Sequence, residues 1–247
     1  MLFVANWKMN KSFSSAIDFS KTHYAALKEL GADHSIVICP SFPALYPLAD
    51  LFANSTIEIG AQDCSAHETG SYTGQVSAIS LQEVGCRYCI IGHSEQRAEF
   101  NESNEIIAQK AEQLLRVGLE PIICIGENKD AYHAQKAETV LAEQLKPVLM
   151  ILAKFDKPFV LAYEPIWAIG TGVAANPSYL SKIFAWLQKT VAHKVNHSQW
   201  RLLYGGSVDQ ENAKILGTIS GINGFLIGGS SLDFQKFQKI VSLEKQR

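Results

Sequence analysis

Long apolar runs are missing from this chain. None reaches the roughly 18 residues that cross a bilayer, which argues against a membrane-spanning role. The N-terminal stretch MLFVANWKMN carries no basic segment ahead of its apolar residues and no small-residue cleavage site, so it does not read as a signal peptide. An excess of basic charge is missing too. The net charge is -2, which argues against a general nucleic-acid or membrane-surface binder. An anionic ligand would therefore need donors placed locally. Cysteine is scarce and odd in number: Cys39, Cys64, Cys86, Cys89 and Cys124 lie mostly in apolar surroundings, as free thiols in a reducing compartment do. Cys86 and Cys89 have the spacing of a redox or zinc pair, but no second pair accompanies them and they straddle the start of an apolar run. His193 and His197 are spaced like metal ligands on a helix yet lack an acidic partner. They read as surface residues, and no metal is expected. No linker rich in Pro, Gly or Ser marks a boundary, so a single domain over residues 1–247 is expected.

What the chain does contain is repetition. It has 247 residues, 47% of them hydrophobic and 19% charged, which is the balance of a globular protein with a sizeable core. Short apolar, β-rich runs occur at 2–7, 36–40, 57–62, 88–93, 121–126, 159–164, 202–207 and 224–228. Between and after them lie stretches with helical spacing at 14–30, 43–53, 77–85, 102–117, 133–152, 177–197, 209–217 and 232–243. Gly31 and Gly118 mark helix ends, and Asn176–Pro177 marks a helix start. Eight alternations of strand and helix predict an α/β fold, an eight-stranded parallel (β/α)8 barrel. An open doubly wound sheet is the alternative. It would want a glycine-rich turn after an early strand, where this chain has Asn6–Trp7–Lys8.

A parallel barrel places its reactive groups at the carboxyl ends of its strands. Those ends carry Asn6 and Lys8, then Gln62, then His93, Ser94, Glu95 and Arg97, then Cys124 and Glu127, then Glu164, and finally the turns Gly205–Ser207 and Gly228–Ser230. Glu164 is the most pointed of these. It ends the apolar run Phe159–Tyr163, and Pro165 stops the ladder directly after it. An acid there loses hydration unless it is paired, which makes it a candidate base. The following residues, to Gly172, form an apolar loop with Pro at one end and glycines at the other, the composition of a water-excluding lid. His93 opens a short helix whose positive end opposes protonation, so a neutral imidazole could donate there. Two late glycine turns can converge main-chain N–H groups on an oxyanion. Plainer readings stand beside these: a solvated Lys8, a structural His93, a strand-end Glu164 and tight connections at the glycines.

Five motifs carry a resemblance. ANWKMN at 5–10, IIGHSEQR at 90–97, AYEPIWAIGTG at 162–172, LYGGSV at 203–208 and FLIGGSSL at 225–232 resemble those of the triosephosphate isomerase family, in order and over essentially the whole chain. The resemblance implies a cytoplasmic homodimer without cofactor that interconverts dihydroxyacetone phosphate and D-glyceraldehyde 3-phosphate. It implies Glu164 as base, His93 as neutral electrophile, Lys8 as electrostatic stabiliser and Asn6 as the residue orienting substrate and Lys8. Glu95 would be a buried acid beside the site. Gly170, Ser207, Gly228 and Gly229 would hold the phosphate, and Ile169 and Leu226 would press on Glu164. The segment 62–76 resembles the dimer loop, with Thr73 reaching towards the partner's site. Gln75 departs from the glutamate usual there, which commonly pairs with the arginine matching Arg97. Two other classes are a sugar-phosphate aldolase or phosphoribosyl isomerase and a barrel that only binds. The first, as an aldolase, would need a Schiff-base lysine that the mid-barrel strand ends do not supply. The second would be expected to have lost one of Asn6, Lys8, His93 or Glu164.

Overall fold

The computed structural model describes residues 1–169, 175–195 and 199–242. Its strands are β1 (Leu2–Asn6), β2 (Ser35–Cys39), β3 (Ile57–Ala61), β4 (Tyr88–Ile91), β5 (Glu120–Ile125), β6 (Phe159–Tyr163), β7 (Trp200–Tyr204) and β8 (Gly224–Ile227). All neighbours pair in parallel, and β8 returns to β1 through Leu2↔Gly224 and Val4↔Leu226, so the eight strands close into a barrel. Around them run α1 (Phe13–Thr22), α2 (Tyr24–Leu30), α3 (Leu45–Phe52), α4 (Ala78–Glu83), α5 (Ser94–Glu99), α6 (Asn104–Val117), α7 (Lys129–His133), α8 (Ala137–Leu152), α9 (Pro177–Ala192), α10 (Ala213–Gly217) and α11 (Phe234–Ser242).

Strand alternation divides the apolar residues into two cores. Leu2, Val4, Val37, Ile90, Ile122, Val160 and Leu203 form one cluster with Cys39, Cys124 and Leu226, filling the barrel. The intervening Phe3, Ala5, Ile36, Ile38, Ile123 and Leu161 pack outward under the helices. Both faces of every strand are thus covered, which is why the strands read as continuous apolar runs.

Three local departures from the expected helices have visible causes. The stretch 14–30 breaks at His23, whose ring stacks on Phe234 at 4.1 Å, leaving α1 and α2. The stretch 133–152 begins only at Ala137, because Gln135 adopts a left-handed φ of 56° that no helix can continue through. Gly118 ends α6 in the expected left-handed conformation (φ 81°), but Gly31 follows α2 with an ordinary right-handed φ of -71°. Gly31 answers to space instead: a Cβ there would lie 2.4 Å from the Thr56 hydroxyl. As expected, Asn176 caps α9, accepting from the Ser178 N–H at 2.9 Å, with Pro177 at the first position. His193 closes α9, whereas His197 lies outside the described residues. Among the described residues no helix is long and apolar enough to cross a membrane.

Candidate active site

Glu164 stands one residue past β6. Its main-chain N–H donates to Ile125 O at 2.7 Å, and the neighbouring Gly126 has no room for a Cβ, which would fall 1.8 Å from Glu164 O. The two strand ends therefore touch, and the side chain is turned into the mouth of the barrel, 3% exposed. Its Oε2 accepts the Ser94 N–H at 3.1 Å, and its Oε1 lies 3.2 Å from His93 Nε2. Beside it, burial pushes the Cys124 thiol well up, and the Glu164 charge pushes the same way, so this thiol stays protonated.

His93 is brought there by a turn. Gly92 takes a left-handed φ of 65°, where a Cβ would also press on Ile107, and the chain swings from β4 into α5. His93 is the N-cap of α5: its Nδ1 accepts the Glu95 N–H at 3.2 Å. A nitrogen that accepts carries no proton, so in the neutral ring the proton sits on Nε2 and points at Glu164. Glu95 Oε2 is 3.5 Å from the same Nδ1, but with the amide aimed at that lone pair this approach is not an ion pair.

Lys8 has a left-handed φ of 50°. Two contacts hold it: its N–H donates to Asn6 Oδ1 at 3.1 Å, and its carbonyl accepts from Gln62 Nε2 at 2.8 Å. Its ammonium reaches Glu95 Oε1 at 2.6 Å. Glu95 thus lies on Lys8, with its side chain 54% exposed in the single chain.

One cavity of about 230 Å³ gathers the remaining positions. Asn6, Lys8, His93, Glu164, Ile169, Ser207, Leu226, Gly228 and Gly229 all line it. Glu95 is not on its wall, and Gly170 lies outside the described residues. The glycine turns are tied to each other and to the loop after β6. Ser207 Oγ donates to Ala168 O at 2.7 Å, Ser230 Oγ to Val208 O at 2.7 Å, and Ser231 Oγ to Gly228 O at 2.7 Å. Gly205 must be small: a Cβ would sit 2.9 Å from Glu164 Cγ.

Over residues 1–244 the chain matches the family model described as triosephosphate isomerase. The chain belongs to the triosephosphate isomerase family. A triosephosphate isomerase of Aquifex aeolicus is 38% identical over 242 residues, covering 97% of this chain and 98% of the relative. One from Azoarcus sp. is 41% identical over 233 residues, covering 94% of this chain and 93% of the relative. The crystal structure of a triosephosphate isomerase from Bartonella henselae superposes with a TM-score of 0.85 at 31% identity, covering 99% of this chain and 98% of that one. The chain is thus an enzyme of the triosephosphate isomerase type.

Sequence reasoning placed Glu127 at a strand end but assigned it nothing. It is fully buried and accepts from Tyr163 Oη at 3.0 Å, Trp167 Nε1 at 2.7 Å and Tyr179 Oη at 2.9 Å. Gln62 likewise proves to clamp two carbonyls, those of Lys8 and Cys39. An acid at the carboxyl end of β5 was the available signal for Glu127. Its donors come from β6, the loop after it and α9, so their convergence is a property of the fold alone. Arg97 turns inward and donates to Gly92 O, Asn104 Oδ1 and Cys124 O.

Proposed function

We propose that the chain interconverts dihydroxyacetone phosphate and D-glyceraldehyde 3-phosphate through an enediolate, with Glu164 as the base. The observation that carries this reading is the meeting of Glu164 and His93 at 3.2 Å in a cavity whose other wall is two glycine turns. Glu164 takes a proton from the carbon next to the carbonyl and returns it to the adjacent carbon. The Nε2–H of His93 is the donor to the oxygen that gains charge, and substrate oxygens replace Glu164 as its acceptor. Lys8 adds positive charge beside the enediolate, and Asn6 fixes the Lys8 main chain. Triosephosphate isomerases are themselves a standard example of such a carboxylate and neutral imidazole acting under a closing loop.

The phosphate is held by main-chain N–H groups of Ser207, Gly228 and Gly229, joined by Gly170 when the loop 165–172 closes. Ile169 and Leu226 on the cavity wall then exclude water from Glu164. The grip matters chemically, since an enediolate beside a phosphate ester can expel phosphate instead of regaining its proton.

The chain acts as one barrel over 1–247, in the cytoplasm, as a homodimer through 62–76. Supporting the dimer, the connections after β1, β2 and β4 leave Met9, Phe42, Tyr46 and Phe100 exposed on the single chain. With Gln75 in place of an acid, the dimer contact lacks one charge pair, so it is somewhat less sensitive to salt than the usual form. Sedimentation at low and high salt checks this, and steep dissociation in salt counts against it. The reaction itself is tested by a coupled isomerase assay on the purified chain, with inorganic phosphate as competitor. Turnover that phosphate inhibits competitively is expected; an inactive chain with an intact fold would overturn the reading.

A further inference from the structure

Beyond the reacting groups, the loop after β6 is held from outside the site. β5 ends at Ile125, and Asn128 then caps α7 by accepting the Ala131 N–H at 2.9 Å. This short helix carries Tyr132, and the left-handed Gln135 turns the chain away into α8. Tyr132 is thereby laid almost flat on Trp167, with ring centroids 4.0 Å apart and planes 24° apart. Tyr179, on the first turn of α9, stands edge-on to both rings, at 5.1 Å and 90° from Tyr132 and at 5.9 Å and 67° from Trp167. The same Tyr179 hydroxyl donates to Glu127, as does the Trp167 indole N–H. The indole is thus held on its face, its edge and its nitrogen by three segments of chain.

Trp167 lies within the single turn Ile166–Ala168. Ala168 O accepts from Ser207 Oγ on one glycine turn, and the next residue, Ile169, lines the cavity. Moving the indole therefore moves the stem that covers Glu164. We infer that Tyr132 is a positioning residue for the isomerase reaction: its ring, braced by Tyr179, holds Trp167 and so keeps the stem 165–169 over the site. Tyr132 does not line the catalytic cavity and touches no reacting group, so it acts only through Trp167. A stacked aromatic pair shifts an equilibrium by between about two- and tenfold, which sets the size of the effect.

The inference rests on the isomerase reading above, and the test separates the two. Wild type, Tyr132→Leu, Tyr132→Phe, Trp167→Leu and the double variant Tyr132→Leu/Trp167→Leu are assayed for kcat, KM and inorganic phosphate released per isomerisation. Tyr132→Leu is expected to lose about five- to tenfold in kcat/KM and to release more phosphate per turnover, because the enediolate is less well covered. Tyr132→Phe keeps the ring and behaves as wild type. In the Trp167→Leu background the effect of the Tyr132→Leu change shrinks to less than about twofold, since the stack is already gone. Should Tyr132→Leu fail to fold, Tyr132→Ser is taken through the same cycle. Equal costs in both backgrounds, or wild-type kcat/KM and phosphate release in Tyr132→Leu, would overturn the inference while leaving the isomerase reading in place. An inactive wild type overturns that reading instead.

Discussion

At the amino end of the barrel, Glu120 opens β5 with 4% of its surface exposed, and a cation holds it: Arg201 on β7 approaches at 2.7 Å while also donating to the Tyr88 hydroxyl. At the carboxyl end, Glu164 is as deeply buried, yet among the described residues no lysine or arginine is in ion-pair contact with it. Its contacts are a main-chain N–H and a histidine. Glu127 repeats that pattern with two phenols and an indole. The difference teaches what each end is for. A carboxylate matched to a guanidinium is neutralised and fastens two strands. A carboxylate left without a cation, as the proposed base Glu164 is, stays free for a proton on carbon, at a cost in stability that the rest of the barrel has to offset.

The largest expected effect breaks the comparison in two. Glu164→Gln should lower kcat by about 10³- to 10⁴-fold and leave the fold intact, since the proposed base is lost and a near-isostere remains. Glu120→Gln should keep kcat within about twofold and cost about 2 kcal/mol by urea unfolding, because Arg201 is left half-buried without its partner. If both variants lost activity alike, the division between the two ends would fail. Next in size is Lys110, a buried ammonium on α6 shared by Glu102 and by Asp63, the latter at 2.7 Å. Burial alone would lower the Lys110 ammonium, but the two carboxylates reverse this and hold it above its ordinary value. Lys110→Met should cost about 3 kcal/mol in denaturant titration, leaving two acids side by side, with kcat unchanged.

Smaller still is a displacement. Gly205→Ala puts a methyl 2.9 Å from Glu164 Cγ and should reduce kcat about tenfold or more with little change in urea midpoint. The reverse outcome, a stability loss with full kcat, would mean that Glu164 tolerates movement. The smallest effect concerns the thiols, all five of which are free and buried. Burial pushes Cys86 up to about 12, and thiolate forms only as pH rises towards that value. Disulfide-reagent labelling at pH 8 should therefore be negligible in the native chain and complete after unfolding. Because burial acts on Cys124 more strongly than the Glu164 charge does, Glu164→Gln should not unmask it. Rapid labelling of that variant would say that the carboxylate dominates.

Much of this was legible along the chain. Every strand lies within two residues of an apolar run, because a sheet buried on both faces leaves no alternation to confuse the reading. Asn6, Lys8, His93, Glu164 and the two glycine turns could be gathered from strand ends, since a parallel barrel sends those ends to one rim, whereas Ile169 and Leu226 came only from the family resemblance. What was hidden depends on contacts between distant segments. His23 breaks a helix because Phe234 lies under its ring, and Gln135 because its backbone turns left-handed. Glu95 meets Lys8, 87 positions away, a pairing that only the fold creates. Glu127 is satisfied by donors 36, 40 and 52 positions further along, a convergence no local pattern announces.

If the Glu164 carboxylate itself moves the proton, its reach matters as well as its charge. Glu164→Asp keeps the charge and withdraws the oxygens by one carbon. Steady-state isomerisation by this variant should show KM within a few-fold of wild type and kcat lower by about a hundredfold or more. A kcat close to wild type would remove Glu164 from the proton transfer.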